Sequence, residues 1–169
     1  IVVYPMNALA NSQDEELGKF LNHGYSEDCL PVRFARYTGQ EKGQERENIR
    51  KNPPDILLTN YMMLELLLTR NEDRELVRAA QGLQFLVFDE LHTYKARQGA
   101  DVSMLVRRIQ AFCKNDLTII GTSATMATGT VEDQKIAVAK VAGQIFGKNY
   151  LQEQIITETL VYSTNANRT

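Results

Sequence analysis

The sequence contains no tryptophan, two cysteines, four prolines and almost no surplus of charge of either sign, and each shortage removes a class of protein. Cys29 and Cys113 lie far apart, with no CxxC pair and no histidine at zinc-ligand spacing, which excludes a disulfide scaffold and a zinc module. Both are expected to be reduced thiols in a cytoplasmic protein. Nineteen Lys and Arg against 21 Asp and Glu leave a net charge of -2. A polycation held to nucleic acid by bulk charge is thereby excluded, and any nucleic-acid site has to be local. The longest apolar run, Met62 to Leu68, is broken by Glu65. It falls far short of the ~20 residues of a membrane span, so no membrane partner is expected. Internal repeats, low-complexity tracts, Pro/Gly-rich linkers and a signal-peptide pattern are missing as well.

What is present is an ordinary globular composition, 169 residues with 43% hydrophobic and 24% charged side chains, enough for one domain with its own core. Short apolar runs alternate with longer amphipathic stretches. Ile1 to Tyr4, Val32 to Tyr37, Asp55 to Thr59, Gln84 to Phe88 and Leu117 to Gly121 read as strands. Leu17, Phe20 and Leu21 share one helical face, as do Leu105, Ile109, Phe112 and Cys113, and as do Val138, Val141, Ala142 and Ile145. Tyr61 to Leu64 and Leu66 to Leu68 read as helix core, and His23 as a helix exit. The alternation predicts an α/β fold with a parallel sheet covered on both faces. The two most hydrophobic strands, Phe85 to Phe88 and Leu117 to Ile120, are expected at its centre. The charge-dense run Glu41 to Lys51 reads as a solvated helix face.

Ligands of open α/β sheets bind beyond the carboxyl ends of the strands, so those ends are the places to search for chemistry. The first apolar strand ends in Asp89-Glu90 and the second in Thr122-Ser123. In nucleotide hydrolysis one carboxylate holds magnesium, directly or through water, and a second accepts a proton from the attacking water. Asp89 and Glu90 suit those roles, although acidic residues also end strands as turn formers and helix caps.

Asp89-Glu90-Leu91-His92, followed one strand later by Ser123-Ala124-Thr125, resembles the DEAD/DEAH-box (DExH) helicases of superfamily 2, whose motif II reads DExH or DEAD and whose motif III reads SAT. Leu91 stands where the family usually has Ala, a larger side chain beside the metal site. The resemblance extends upstream. Tyr4-Pro5-Met6-Asn7-Ala8-Leu9-Ala10, with Gln13 a turn later, is similar to motif Ia, while Thr38-Gly39 and Thr59-Asn60 are similar to motif Ib and its neighbour. A Pro at a helix start also leaves free N–H groups directed outward, which suits a phosphate. Downstream, Arg97 to Val102 and the pair Arg107-Arg108 look like the large bacterial and archaeal members related to the DNA-repair branch, which favours DNA over RNA.

The resemblance implies a RecA-like (P-loop NTPase) three-layer α/β sandwich, with residues 1–169 forming part of the first lobe. It implies ATP and Mg2+ as cofactors, with Asp89 on the metal, Glu90 on the attacking water, and His92, Ser123, Ala124 and Thr125 coupling hydrolysis to the nucleic acid and to a second RecA-like lobe. Pro5, Met6, Asn7, Gln13, Thr38, Gly39, Thr59 and Asn60 are the implied nucleic-acid contacts. A phosphate cradle needs GxxxxGK[ST]. The nearest match, Gly143 to Asn149, is one residue short, has Asn in place of the hydroxyl and reads as a helix C-cap. With Ile rather than Met first, the P-loop strand and the second lobe are expected to belong to a longer parent chain. The excerpt alone should be inactive. The strand at Leu117 to Gly121 should form an exposed sheet edge that self-associates or is covered by residues 154–162, the last strand being expected at Glu158 to Tyr162. Three other readings stay open: an ATP-driven translocase or remodeller that does not unwind, a non-catalytic nucleic-acid-binding or interaction module, and a metal-dependent nuclease.

Overall fold

The structure, a computed structural model, describes residues 1–23, 25, 31–124 and 130–158. Five strands form, each within a residue or two of an expected apolar run: β1 (Val2–Tyr4), β2 (Phe34–Arg36), β3 (Ile56–Asn60), β4 (Phe85–Phe88) and β5 (Thr118–Gly121). They pair in the order β2-β3-β1-β4-β5, all parallel, with Val3 opposite both Thr59 and Phe88 and with Phe88 opposite Gly121. Because every strand runs the same way, Tyr4, Arg36, Asn60, Phe88 and Gly121 all end at one rim, and every motif follows one of them.

Among the described residues, α1 (Asn7–Asn22), α2 (Gly43–Lys51), α3 (Tyr61–Thr69), α4 (Arg74–Ala79) and α5 (Ala96–Phe112) return the chain between strands, and α6 (Val131–Phe146) follows β5. Their ends carry local signals. Asn60 caps α3 by accepting the Met63 N–H at 2.7 Å, and Thr130 and Asp133 form a reciprocal capping box on α6. Gly147 ends α6 in the left-handed region at φ 68, so Gly143 to Gly147 is a helix C-cap, as read from the sequence, and His23 is the C-cap of α1. Pro5 precedes the N-cap residue Met6 instead of occupying the first helical turn, and Met6 gives no side-chain cap.

Alternation along the strands divides the core. Val2, Tyr4, Phe34, Ile56 and Leu58 pack beneath α1, whereas Val3, Leu57, Leu86, Phe88 and Ile119 face the other helices, where Leu64, Leu67, Leu105, Val106 and Phe146 complete the larger core. Full burial of side chains such as Leu86 and Phe88 contributes about 1.5–3 kcal/mol each.

Four expectations are corrected. Phe20 is 85% exposed although Leu17 and Leu21 on either side of it are half-buried: the latter two lie four residues apart on the stripe that meets the sheet, and Phe20, three residues from Leu17, falls at the margin of that stripe. β4 is interior, but β5 is not central: among the described residues it is an edge, as expected from the missing P-loop strand. Its Ile119 packs inward while Ile120 and the neighbouring Phe85 face away from the core and are exposed, so among the described residues β4 and β5 are covered on one face only. Among the described residues, the outward carbonyls along β5 meet neither a strand nor residues 154–158. Lys148 Nζ donates to Leu117 O (3.4 Å) and the Tyr150 hydroxyl to Ile119 O (3.5 Å). Glu158 is not in a strand, and residues 159–162, like Cys29, lie outside the described residues. Finally, the charged run 41–51 is not simply a solvated face, for Glu41 and Ile49 are buried.

Candidate functional site

At the carboxyl end of β4 the backbone changes direction within one residue. Asp89 N–H still donates to Val3 O (2.9 Å), continuing the ladder, whereas Glu90 adopts φ 54 and ψ 54 and opens a short 3₁₀ turn, Leu91–Thr93. A left-handed non-glycine residue costs on the order of 1 kcal/mol. Thr93 stabilises it, donating both its N–H and its hydroxyl to Glu90 O at 2.8 Å. The turn aims the Glu90 carboxylate at the neighbouring strand end: Oε2 lies 3.0 Å from His92 Nδ1 and accepts the Ala124 N–H at 3.4 Å. His92 Nδ1 is in turn 3.1 Å from Ser123 Oγ. The structure thus brings Glu90, His92, Ser123 and Ala124 into one cluster, with Thr125 outside the described residues.

Asp89 belongs to the same rim. Its Oδ1 accepts the Thr122 hydroxyl, and among the described residues Oδ2 has no protein partner. Burial, followed by the negative charge of Asp89, pushes the Tyr4 phenol up to about 12, and the same two causes raise that of Tyr94. Both phenols therefore stay protonated beside Asp89. No group of three or more His, Cys, Asp or Glu converges on a metal among the described residues. A half-exposed carboxylate next to a hydroxyl fits Mg2+, which takes oxygen ligands and keeps one or two carboxylates alongside water and phosphate. Asp89 and Thr122 are the residues that would hold it.

Leu91 does not point at this site. It is buried in the core, and the space it fills is left by Gly121, where a Cβ would overlap Leu91 Cδ1 and come within 2.8 Å of its Cγ. The leucine and the glycine are one packing solution, which fastens the Glu90 turn to β5 together with the bond from Leu91 N–H to Thr122 O (2.8 Å).

The other half of the rim is built around Asn60. Its Nδ2 donates to Asn7 Oδ1 (2.6 Å) and to Thr38 O (3.3 Å), so the segments after β1, β2 and β3 are joined by a single amide. Met6 (57% exposed), Gln13 and Gly39 (φ 92) face solvent, and Pro5 is half-buried. Thr38 and Thr59 do not face out: Thr59 is fully buried with its hydroxyl donated to Tyr37 O (2.7 Å), and Thr38 Oγ1 is donated to Glu41 (2.9 Å). These two threonines order the rim from beneath.

Reading the sequence overlooked the residue that holds this loop. Glu41 accepts the N–H groups of Thr38 (3.0 Å) and Gly39 (2.8 Å) and pairs with Arg36 Nε (3.3 Å). Burial alone would raise its pKa. Bonds from Thr38 N–H, from its own N–H, from the Thr38 hydroxyl and from Gly39 N–H outweigh that and hold it below the ordinary value. Deeper still, the fully buried Asp73 accepts from Tyr37 Oη and Arg50 Nε, both at 2.6 Å, tying the end of β2 to α2 and the turn before α4. The signal for Glu41 was its place two residues after a Thr-Gly strand end, where a carboxylate can receive backbone N–H groups.

A parallel sheet whose carboxyl rim carries an acidic pair, facing a hydroxyl-bearing neighbour strand, defines the RecA-like α/β class. The chain belongs to the DEAD/DEAH box helicase family, which it matches over residues 1–134. It is 30% identical over 130 residues to the uncharacterized ATP-dependent helicase YprA of Bacillus subtilis, covering 75% of this chain and 17% of that protein. It is 34% identical over 100 residues to the Lhr helicase/uracil glycosylase of Escherichia coli, covering 59% of this chain and 6% of that protein. Among solved structures it resembles the DUF1998 helicase MrfA bound to DNA, with 27% identity and a TM-score of 0.69 over 88% of this chain and 18% of that one. The helicase Lhr of Mycobacterium smegmatis, bound to ssDNA and AMP-PNP, shares the fold at 23% identity and a TM-score of 0.63 over 84% of this chain and 18% of that one. The chain therefore spans less than a fifth of the length of each of these proteins.

Proposed function

We propose that this lobe works in an ATP-dependent helicase that couples ATP hydrolysis to movement along, or unwinding of, DNA. The observation that carries the reading is the His92 bridge. One ring nitrogen lies within 3.1 Å of both the Glu90 carboxylate and the Ser123 hydroxyl, linking the candidate base to the end of the next strand. Bound ATP and Mg2+ supply the phosphoryl group and the neutralising charge. Asp89 and Thr122 offer the metal its oxygens, Glu90 accepts the proton of the attacking water, and His92, Ser123, Ala124 and Thr125 pass the state of that carboxylate to a second RecA-like lobe. Pro5, Met6, Asn7, Gln13, Gly39 and Asn60 meet the sugar-phosphate backbone, with Thr38 and Thr59 supporting them. The DNA preference is supported by the DNA-bound relative and by residues 97–108.

A general base typically contributes 10²- to 10⁴-fold, so Glu90→Gln in the intact protein should cut ATP turnover by about that factor while nucleotide still binds. Turnover within about threefold of wild type would remove Glu90 from the mechanism. Partial-duplex substrates separate unwinding from translocation alone. No GxxxxGK[ST] occurs within the 169 residues, and by themselves they should show no measurable ATPase.

A further inference from the structure

The cations of this chain fall into two groups. Arg33, Arg36, Arg50, Arg108, Lys19 and Lys51 each have a carboxylate within 4.0 Å. The other Lys and Arg side chains among the described residues have none, and four of these, Arg46, Arg70, Arg74 and Arg78, are neighbours. Arg70, Arg74 and Arg78 line one open recess of about 290 Å³ between the end of α3 and α4. Arg46 and Arg70 line a second, of about 520 Å³, which joins the first at Arg70 and Asn71. The carboxylate in that second recess, Glu72, is engaged by Arg50 at 3.0 Å, and Asp73 behind it is taken by Arg50 and Tyr37. With Glu72 already shared with Arg50, the four neighbouring arginines leave a surplus of positive charge along this flank, which an anion lying among them would relieve.

Three further features give the track a direction and a ligand. Arg46 NH2 donates to Gly39 O (3.2 Å), so the track begins at the rim where the nucleic-acid backbone is proposed to lie. Arg46 Nε is buried without a partner, and its guanidinium sits 5.9 Å from the Tyr37 ring centroid, so the group is held in place with a donor still unused. Beside these arginines the lining of the first recess includes Leu67, Leu68, Val77 and the half-buried Phe112. Arginines that share one recess with an aromatic ring suit a flexible single strand, whose phosphates are neutralised while its bases reach the ring. A duplex offers its phosphates but keeps its bases stacked.

We infer that Arg46, Arg70, Arg74 and Arg78 form a second nucleic-acid surface, a track on the flank of α2 and α4 that takes single-stranded nucleic acid leaving the carboxyl rim at Gly39. The inference rests on the nucleic-acid reading above and extends the footprint to a face away from the motifs. Contacts of this kind are sequence-independent and salt-sensitive.

The test compares fluorescence anisotropy of unstructured oligo-dT of about eight nucleotides, short enough for the rim alone, with about twenty-four, long enough to reach the track. It uses the intact protein as wild type, Arg70→Gln/Arg74→Gln/Arg78→Gln, the corresponding triple Lys variant, and Gln13→Ala at the rim. The triple Gln variant should lose roughly tenfold in affinity for the long strand at physiological salt, with the salt slope shallower by about two, and keep its affinity for the short one. The triple Lys variant should retain the slope, showing that charge and not folding was lost. Equal losses on both lengths, or no loss on the long strand, would overturn the track. If the triple Gln variant instead loses binding to polyglutamate while oligo-dT is unaffected, the groove takes an acidic polypeptide and the inference is wrong. A wild type that binds neither oligonucleotide overturns the rim reading as well. An effect of Gln13→Ala without one of the arginine variants overturns the track alone.

Discussion

Replacing Glu41 by Gln keeps the shape of the side chain and removes its charge from a site where the side chain is fully buried. Besides its own N–H, the native carboxylate receives the N–H groups of Thr38 and Gly39, one hydroxyl and one guanidinium N–H. Hydrogen bonds to a charged acceptor are worth about 1.5–3 kcal/mol against roughly 0.5–1.5 for neutral ones, and the amide turns an NH2 group toward donors that cannot accept it. Arg36 is partly solvated and relaxes, which lowers the total. The expected loss is about 2–4 kcal/mol, or roughly 5–15 °C in Tm for a chain of this size. The pH dependence has a definite sign. The folded-state pKa of Glu41 lies below its ordinary 4.5, so the stabilisation is complete above that value and is lost as pH falls through the lower folded value. Urea titrations of wild type and Glu41→Gln from neutral pH down to about pH 3 should show a constant gap at first and a narrowing one below about 4.5. A gap under about 0.5 kcal/mol at neutral pH, or one that does not change on acidification, would refute the assignment of Glu41 as the carboxylate that holds the Thr38-Gly39 loop.

Gly121→Ala forces a methyl group against Leu91 and, at 3.2 Å, against Phe146, and overpacking of this kind costs about 1–3 kcal/mol. Adding Leu91→Ala should recover part of it, so a double-mutant cycle with purely additive energies would sink the idea that the two positions are one packing unit. The half-covered face of β4 and β5, with Phe85 and Ile120 exposed, should make the 169-residue chain associate with itself, and Ile120→Lys should reduce this. Light scattering over a dilution series that finds wild type monomeric throughout would contradict it.

The strands were legible because each is a short apolar run bounded by polar residues, and the motifs because they follow those runs directly. The parts that were not legible depend on what lies across from a residue. Phe20 sits at the margin of the apolar stripe of α1, and periodicity alone does not separate it from Leu17 and Leu21, which are half-buried. Thr59 and Thr38 have the sequence surroundings of backbone contacts, yet their hydroxyls are used internally by Tyr37 and Glu41. The apolar character of β5 suggested burial on both faces, whereas the sheet order puts it at an edge. Within the dense charged run only the nearby Thr38-Gly39 strand end sets Glu41, which is buried, apart from Glu45 and Glu47, which are exposed, and charge pattern alone hides it.

The ring of His92 places one nitrogen before two partners, the Glu90 carboxylate at 3.0 Å and the Ser123 hydroxyl at 3.1 Å. An Nδ1 that carries hydrogen gives it to the carboxylate and has no lone pair left for the serine; an Nδ1 without hydrogen accepts from the serine and presents only a lone pair to the carboxylate. The two strand ends thus compete for one valence. On the proposed reading, a change in which of Glu90 and His92 holds the hydrogen would change which way the hydroxyl of Ser123 can turn, so that an event just past the end of β4 would be written as an orientation just past the end of β5.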